Sequence, residues 1–260
     1  MEYDPIKDRI AAAITLFPTL RKGMYKALDL LLLRQRYVKR EISHYFRKQE
    51  SFRFYDAGAG FCQYSWFVLN NWQNAKVFAT DLKTDYLKSF AAFAKAETPG
   101  RFSYQSADLQ EFTPQNKYQL CIAIDILEHI EDDQSALKHF HTALDSEGIL
   151  IISTPSDTDE AAKFTSEHVR PGYAKAELEA KLHEAGFELV KSIYTYGMFG
   201  SLAWRLLMKY PLQMVNKAFL PLMLPYYLFV YPISAILMQL DLHMDNKSGT
   251  GILVVAQKPR

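Results

Sequence analysis

Between residues 52 and 196 the chain alternates short apolar, strand-like runs with single helical stretches. Residues 52–55, 76–80, 102–105, 118–124, 148–153 and 187–196 read as strands. Residues 64–71, 86–95, 134–144 and 175–185 read as helices. Strands joined by single helices become parallel neighbours through right-handed crossovers. The expected architecture is therefore α/β, a Rossmann-like parallel sheet with helices on its faces. Neither an internal repeat nor a low-complexity tract interrupts it.

The ends of the first three strands carry chemistry. Asp56-Ala57-Gly58-Ala59-Gly60 stands where the first strand turns into a helix. Glycines let such a turn bend and let a ligand approach the backbone. A dinucleotide fingerprint would place a third glycine at Gln63, and its absence disfavours a dehydrogenase. Asp81 ends the second strand, where an acid can accept both hydroxyls of a ribose. Asp108 ends the third, where a carboxylate can accept an exocyclic adenine amine. Open α/β sheets bind ligands outside the carboxyl ends of their strands, so three acids at three such ends point to a nucleotide-like ligand.

Composition narrows the class. The chain has 260 residues, 49% of them apolar and 23% charged, with a net charge of +1. These values exclude a disordered or fibrous chain and disfavour a generally cationic nucleic-acid binder. The two cysteines, Cys62 and Cys121, cannot build a disulfide framework, which fits a reducing compartment. The acidic, mixed start, residues 1–8, does not read as a secretory signal.

The motifs in combination resemble a class I S-adenosylmethionine-dependent methyltransferase. They are Asp56-Ala-Gly-Ala-Gly60, Ala79-Thr-Asp-Leu82, Ser106-Ala-Asp-Leu109, Ile124-Asp-Ile-Leu-Glu-His-Ile130 and Leu144-Asp-Ser-Glu-Gly-Ile-Leu-Ile-Ile-Ser-Thr-Pro155. The resemblance implies a seven-stranded sheet whose last strand, residues 251–258, is antiparallel. It also implies S-adenosyl-L-methionine as cofactor. Asp56, Ala57, Gly58 and Gly60 would then lie along its methionine end, Asp81 and Leu82 at the ribose, and Asp108 and Leu109 at the adenine. Asp125 and Ile126 would line the pocket floor. Cys62 departs from the pattern, since many members have a glycine there. Leu127-Glu128-His129 resembles ubiquinone-pathway O-methyltransferases and small-RNA methyltransferases, some of which bind a metal through Glu-x-x-Glu-His. Asp125, Glu128 and His129 are the matching candidates here, against a reading in which Glu128 caps the next helix and His129 packs on the sheet.

The loop of residues 167–173 would overhang the acceptor in this family. His168, with a pKa near neutral, is a candidate base, as is His129. Arg170 and Tyr173 are candidates for orienting a polar head group, or simply for ordering the loop.

Two segments lie outside the core pattern. Residues 9–48 carry ten Lys/Arg against Asp29 and Glu41, with apolar residues at helical spacing. They read as amphipathic helices broken at Pro18, either packed on the domain or lying on an anionic surface. Residues 199–247 separate two strands that should pair as a hairpin, and 218–240 form a run of 23 residues without a charge. A bilayer needs ~20. One crossing would leave the last strand across the membrane from its own sheet. A second is opposed by Arg205, Lys209 and Lys217, at ~3 kcal/mol each. Pro221, Pro225 and Pro232 are expected to break a simple helix. A bent helical hairpin follows, serving as a monotopic membrane patch, a lid over an apolar substrate, or a face buried against the N-terminal helices or a second copy.

The expected organisation is residues 1–50 as basic helices, 51–198 as the cofactor-binding core, 199–247 as the apolar helical insert and 248–260 as the final strand. The expected activity is methyl transfer to oxygen of a lipophilic small molecule, by a cytoplasmic protein peripheral on the inner face of the membrane, with no nucleic acid as partner. Alternatives are a soluble O-methyltransferase whose insert is a lid, an RNA methyltransferase using the basic arm, and a non-catalytic binding protein.

Overall fold

The computed structural model describes residues 18–158, 169–215 and 220–260. Seven strands form one sheet: β1 (Arg53–Ala57), β2 (Lys76–Asp81), β3 (Phe102–Ser106), β4 (Tyr118–Ile124), β5 (Leu144–Pro155), β6 (Glu188–Thr195) and β7 (Gly251–Gln257). Their order is β3-β2-β1-β4-β5-β7-β6. β1 is parallel to β2 and β4, while β7 runs antiparallel between β5 and β6. The strand order reverses between β1 and β4, which opens a crevice at their carboxyl ends. This is the class I methyltransferase sheet.

Central strands buried on both faces need apolar residues at every position. Leu120 and Ile122 of β4 face one core with Ile149, Ile151, Leu253 and Val255. Cys121 and Ala123 face the other with Leu150, Ile152, Ile252 and Val254. The first core is covered by helices α1 (Pro18–Leu31), α2 (Leu33–Tyr45), α3 (Gln63–Asn71) and α4 (Thr84–Glu97). The second is covered by α5 (Asp133–Ala143) and α6 (Lys175–Glu184). β5 starts four residues before the expected position, because Leu144 pairs with Tyr118 across a register shift. The polar Asp145-Ser146-Glu147 hid that start, being poor strand formers.

Proline placement corrects one expectation, that Pro225 and Pro232 break the helix of the insert. Pro18 begins α1, where a missing N–H costs nothing. The insert forms α7 (Met198–Trp204), a π-helical stretch (Arg205–Lys209), α8 (Tyr210–Val215) and α9 (Leu220–His243). α9 is one 24-residue helix with Pro225 and Pro232 inside it. Packing outweighs the loss. Tyr226 Oη donates to Leu206 O at 2.8 Å and Tyr227 Oη to Leu207 O at 2.9 Å, within the π-helical stretch whose ladder is already irregular.

α9 is anchored at its far end by Asp241, which is fully buried. Its Oδ2 accepts from Tyr37 Oη of α2 at 2.9 Å and its Oδ1 from Gly200 N of α7 at 3.0 Å. A Cβ at Gly200 would lie 2.7 Å from Leu33 Cδ2 and 2.8 Å from Asp241 Cγ, so the three helices meet only because that residue is glycine. Four of the seven Lys/Arg of α1 and α2 are paired within the protein, and Lys191 of β6 joins one of the pairs. Lys22 pairs with Glu97, Lys39 with Asp29 and Arg34 with Asp125, and Arg40 and Lys191 share Glu41.

Asp56 joins β1 to α3. It is buried, and its Oδ2 accepts from Ser65 N at 3.1 Å and Ser65 Oγ at 2.6 Å. Burial pushes its pKa up to about 7, against the pull of the Ser65 hydrogen bonds. An acid whose pKa rises on folding holds its proton more tightly folded. Its contribution is full below about pH 4 and is lost as pH rises through about 7.

Two outcomes follow from these joints. Asp241→Ala strands the Gly200 N–H, while Tyr37 Oη keeps its bond to the carbonyl of residue 241 at 2.7 Å; the loss of about 1–3 kcal/mol is expected to lower the thermal midpoint by about 3–10 °C. An unchanged midpoint would refute the joint. Asp56→Asn is expected to flatten the fall in stability of the ligand-free protein between about pH 4 and 8, a fall worth about 4 kcal/mol at most. A slope equal to that of the native chain would show that Asp56 is charged in the fold.

Candidate active site

The turn after β1 is built from left-handed backbone. Gly58, Gly60 and Cys62 have φ of 72°, 50° and 58°. Gly58 N and Ala59 N both donate to Thr80 O at 2.9 Å, tying the turn to β2. A Cβ at Gly58 would sit 2.6 Å from Ile126 Cγ1. Cys62 takes a backbone conformation that favours glycine, at a cost of ~1–2 kcal/mol. The departure from the family pattern thus preserves the shape of the turn. Cys62 is fully buried, and burial pushes its thiol well up.

Asp81 lies beside this turn. Its Oδ2 accepts from Gly60 N and its Oδ1 from Lys83 N, both at 2.8 Å. Each carboxylate oxygen has two lone pairs, so acceptor capacity remains for a pair of ligand hydroxyls. Leu82 is exposed next to it. Asp108 Oδ1 accepts from Gln110 N at 2.9 Å, and Leu109 is buried. Phe61 and Tyr86 stack at 4.7 Å in the same region, a pair that the motif reading passed over. The Asp56 carboxylate is turned into α3, so Asp56 shapes the turn, with Ala57 buried behind it.

Asp125 follows β4 with φ of 49°, held by its N–H on Ser153 O at 2.7 Å. Its carboxylate pairs with Arg34, which arrives from α2. Sequence spacing gave no sign of this partner. Glu128 is buried, and its Oε2 accepts from Thr154 Oγ1 at 3.1 Å. Burial pushes its carboxyl up. His129 is half-buried in the 3₁₀ turn Leu127–His129. Among the described residues no three His, Cys, Asp or Glu converge to hold a metal ion. This corrects the Asp125, Glu128 and His129 candidate set: Asp125 turns to Arg34 and Glu128 turns to β5.

Of the two readings held for Arg170 and Tyr173, the hydrogen bonds favour ordering of the loop over a polar head group. Arg170 Nη1 donates to Leu127 O at 3.0 Å and Asp133 Oδ2 at 2.9 Å, and its Nη2 to Glu131 O at 3.0 Å. Tyr173 is fully buried and donates to Asp133 Oδ2 at 2.7 Å, while Lys181 Nζ holds Asp133 Oδ1 at 2.9 Å. Burial, with the Asp133 hydrogen bond, drives the Tyr173 phenol up. The cluster fastens the loop after β5 to α5 and α6, and its donors face inward rather than toward an acceptor. His168 lies outside the described residues.

A family model described as a methyltransferase domain matches residues 54–148. No curated protein matches the chain. Among solved structures, SpnF, a 4+2 cyclase, aligns with a TM-score of 0.60 at 15% identity, over 86% of this chain and 80% of its own. A putative sarcosine dimethylglycine methyltransferase from Galdieria sulphuraria aligns at 0.59 and 13% identity, over 86% and 84%. Coclaurine N-methyltransferase, bound to N-methylheliamine and S-adenosylhomocysteine, aligns at 0.58 and 14% identity, over 85% and 70%. At these identities the structures speak for the fold, and the matched motifs for the domain. With the sheet order, the glycine turn and the acids at the strand ends, they show a class I S-adenosylmethionine-dependent methyltransferase fold with a methyltransferase domain over residues 54–148.

Proposed function

We propose that the protein transfers a methyl group from S-adenosylmethionine to an oxygen of a lipophilic small molecule at a membrane surface. The cofactor fits the residues present: the Gly58 turn leaves room where a side chain would collide, and Asp81 has free lone pairs beside it. In this reading Asp81 accepts the ribose hydroxyls, Asp108 and Leu109 flank the adenine, and Gly58, Gly60, Asp125 and Ile126 border the methionine end. The bound cofactor supplies a methyl group on a cationic sulfur, which leaves as a neutral thioether. The protein's task is alignment of the acceptor oxygen and exclusion of water. The acceptor's proton passes to a nearby base, for which His129 and His168 are the candidates.

The observation that carries the lipophilic part is the outer face of α9. Leu224, Leu228, Phe229, Ile233, Ile236 and Leu240 are all exposed on it, Phe229 by 77% and Leu224 by 72%. Met223–His243 is long and apolar enough to cross a membrane, and only 11% of its most apolar window is buried in the protein. Crossing once would separate β7 from β5 and β6, between which it lies. Pro225 and Pro232 each withdraw one N–H from the helix ladder, a cost that grows in hydrocarbon. Both arguments favour a helix lying in the interface. An acceptor carried in that layer, such as an isoprenoid-linked phenol, would reach the mouth from it.

Asp81→Ala is expected to weaken S-adenosylhomocysteine binding about 100-fold in calorimetry, the loss of two charge-assisted hydrogen bonds. Undiminished affinity would remove Asp81 from the cofactor site. The purified protein should float with liposomes, and flotation should survive high salt, because the outer face of α9 is apolar and four of the seven cations of α1 and α2 are already paired within the protein. Leu228→Asp with Phe229→Asp should abolish flotation and leave S-adenosylhomocysteine affinity within about twofold. Absence of flotation in the native chain would favour the lid.

A further inference from the structure

β3 is an edge strand, and none of its five residues is buried. The acid that follows it, Asp108, is only half-buried and draws little rigidity from the sheet. A carboxylate that reads a ligand has to be held in one orientation by its neighbours. For Asp108 those neighbours belong to the loop of residues 108–113 and to α5.

Gln110 is the centre of the arrangement. Its main-chain N–H donates to Asp108 Oδ1 at 2.9 Å, and its side-chain Nε2 lies 3.3 Å from each Asp108 oxygen. Gln110 Oε1 accepts from Asp132 N, at the start of α5, at 2.9 Å. A main-chain N–H can meet only the oxygen of an amide, so the Gln110 side chain is fixed with its NH2 group toward Asp108. Asp132 turns its own carboxylate to Ser135 and takes no part beyond its N–H.

His139 holds the same loop from the next turns of α5. Its Nε2 lies 2.9 Å from Gln110 O, and its Nδ1 lies 2.5 Å from Thr113 Oγ1. A carbonyl only accepts, so Nε2 carries a proton, and a neutral ring then accepts the Thr113 hydroxyl at Nδ1. Leu109, between the two polar residues, is buried in the core that Ala136, Leu137 and Phe140 of α5 also line. Asp108 Oδ2 has only the 3.3 Å contact to Gln110, which leaves it capacity for a further N–H.

We propose that Gln110 and His139 are positioning residues that aim the Asp108 carboxylate at the ligand's base, and so set the discrimination between an exocyclic amine and an exocyclic carbonyl. A carboxylate held in place accepts from an amine and repels a carbonyl oxygen, whereas one free to rotate turns to water and discriminates poorly. The inference rests on the reading that places Asp108 at the adenine, and adds to it the groups that make the acid selective.

Calorimetry with S-adenosylhomocysteine and S-inosylhomocysteine, which carries a carbonyl in place of the amine, reads the ratio directly. The native chain should favour the adenosyl compound by about 30-fold. Gln110→Leu and His139→Phe should each bring the ratio to about fivefold or less, chiefly by weakening the adenosyl compound. His139→Gln keeps an N–H for Gln110 O and should hold the ratio within about twofold of the native value. A merely structural role gives another pattern: the thermal midpoint falls in Gln110→Leu and His139→Phe, both ligands weaken alike, and the ratio stays native. That pattern overturns the proposal. Asp108→Asn tells its failure from that of the reading beneath it. A ratio that collapses in Asp108→Asn but not in Gln110→Leu or His139→Phe keeps Asp108 at the base and removes the positioning role. A ratio untouched by Asp108→Asn, or a native chain that binds neither compound, removes Asp108 from the adenine and the proposal with it.

Discussion

Gly58 and Ile126 touch where the strand order reverses, and the site depends on that contact. A side chain at Gly58 would come within 2.6 Å of Ile126, so the turn after β1 and the turn after β4 can close together only around a missing Cβ. Closing them brings three more constraints into play. Thr80 O on β2 takes the N–H groups of Gly58 and Ala59. Asp81 takes Gly60 N. Asp56, behind the turn, fixes the start of α3 through Ser65. The carboxyl ends of β1, β2 and β4 are thereby held as one surface, with the polar groups of the turn already oriented before any ligand arrives.

Over that surface the N-terminal helices and the insert act as one cover. α2 is the common piece. It holds α7 and α9 through Tyr37 and Asp241, meets the end of β6 through Tyr196, and reaches β4 with Arg34. α1 reaches the turn itself, since Tyr25 Oη donates to Phe61 O at 2.6 Å. α9 and Arg34 are thus joined through α2 by short, directional contacts.

Much of the fold could be read from the sequence, because the central strands are buried on both faces and are rich in apolar residues along their length. β4 begins and ends where the run from Tyr118 to Ile124 does. The acids at the strand ends were legible for the same reason: a carboxylate directly after an apolar run stands out. What escaped the reading depends on contacts far apart in the chain. Arg34 meets Asp125, and Lys191 meets Glu41, across spans that no local pattern encodes. For Arg170 and Tyr173 the sequence left head-group binding and loop ordering both open, because the deciding partner, Asp133 on α5, stands some forty residues earlier in the chain and draws both inward. Proline rules failed in α9 because the helix is seated against the π-helical stretch by contacts distant in the chain, the Tyr226 and Tyr227 hydroxyls on Leu206 O and Leu207 O among them.

The two faces of α9 differ in the way that separates an anchored helix from a docking one. The inner stripe carries Tyr227, Ser234, Met238 and Asp241, and its polar groups include bonds to main-chain or buried partners. The outer stripe carries six large apolar side chains and no charge from Leu224 to Leu240. Apolar area of that kind is held in water at a cost of ~25 cal/mol per Å². β6 and β7 are neighbours in the sheet, so both ends of the insert return to one edge, beside the end of β6 and the residue Tyr196 that Arg34 contacts. A surface that accepts the outer face of α9 consequently lies against the same end of the sheet as the acids of β1, β2 and β4. The insert and the site thus share one end of the sheet by topology.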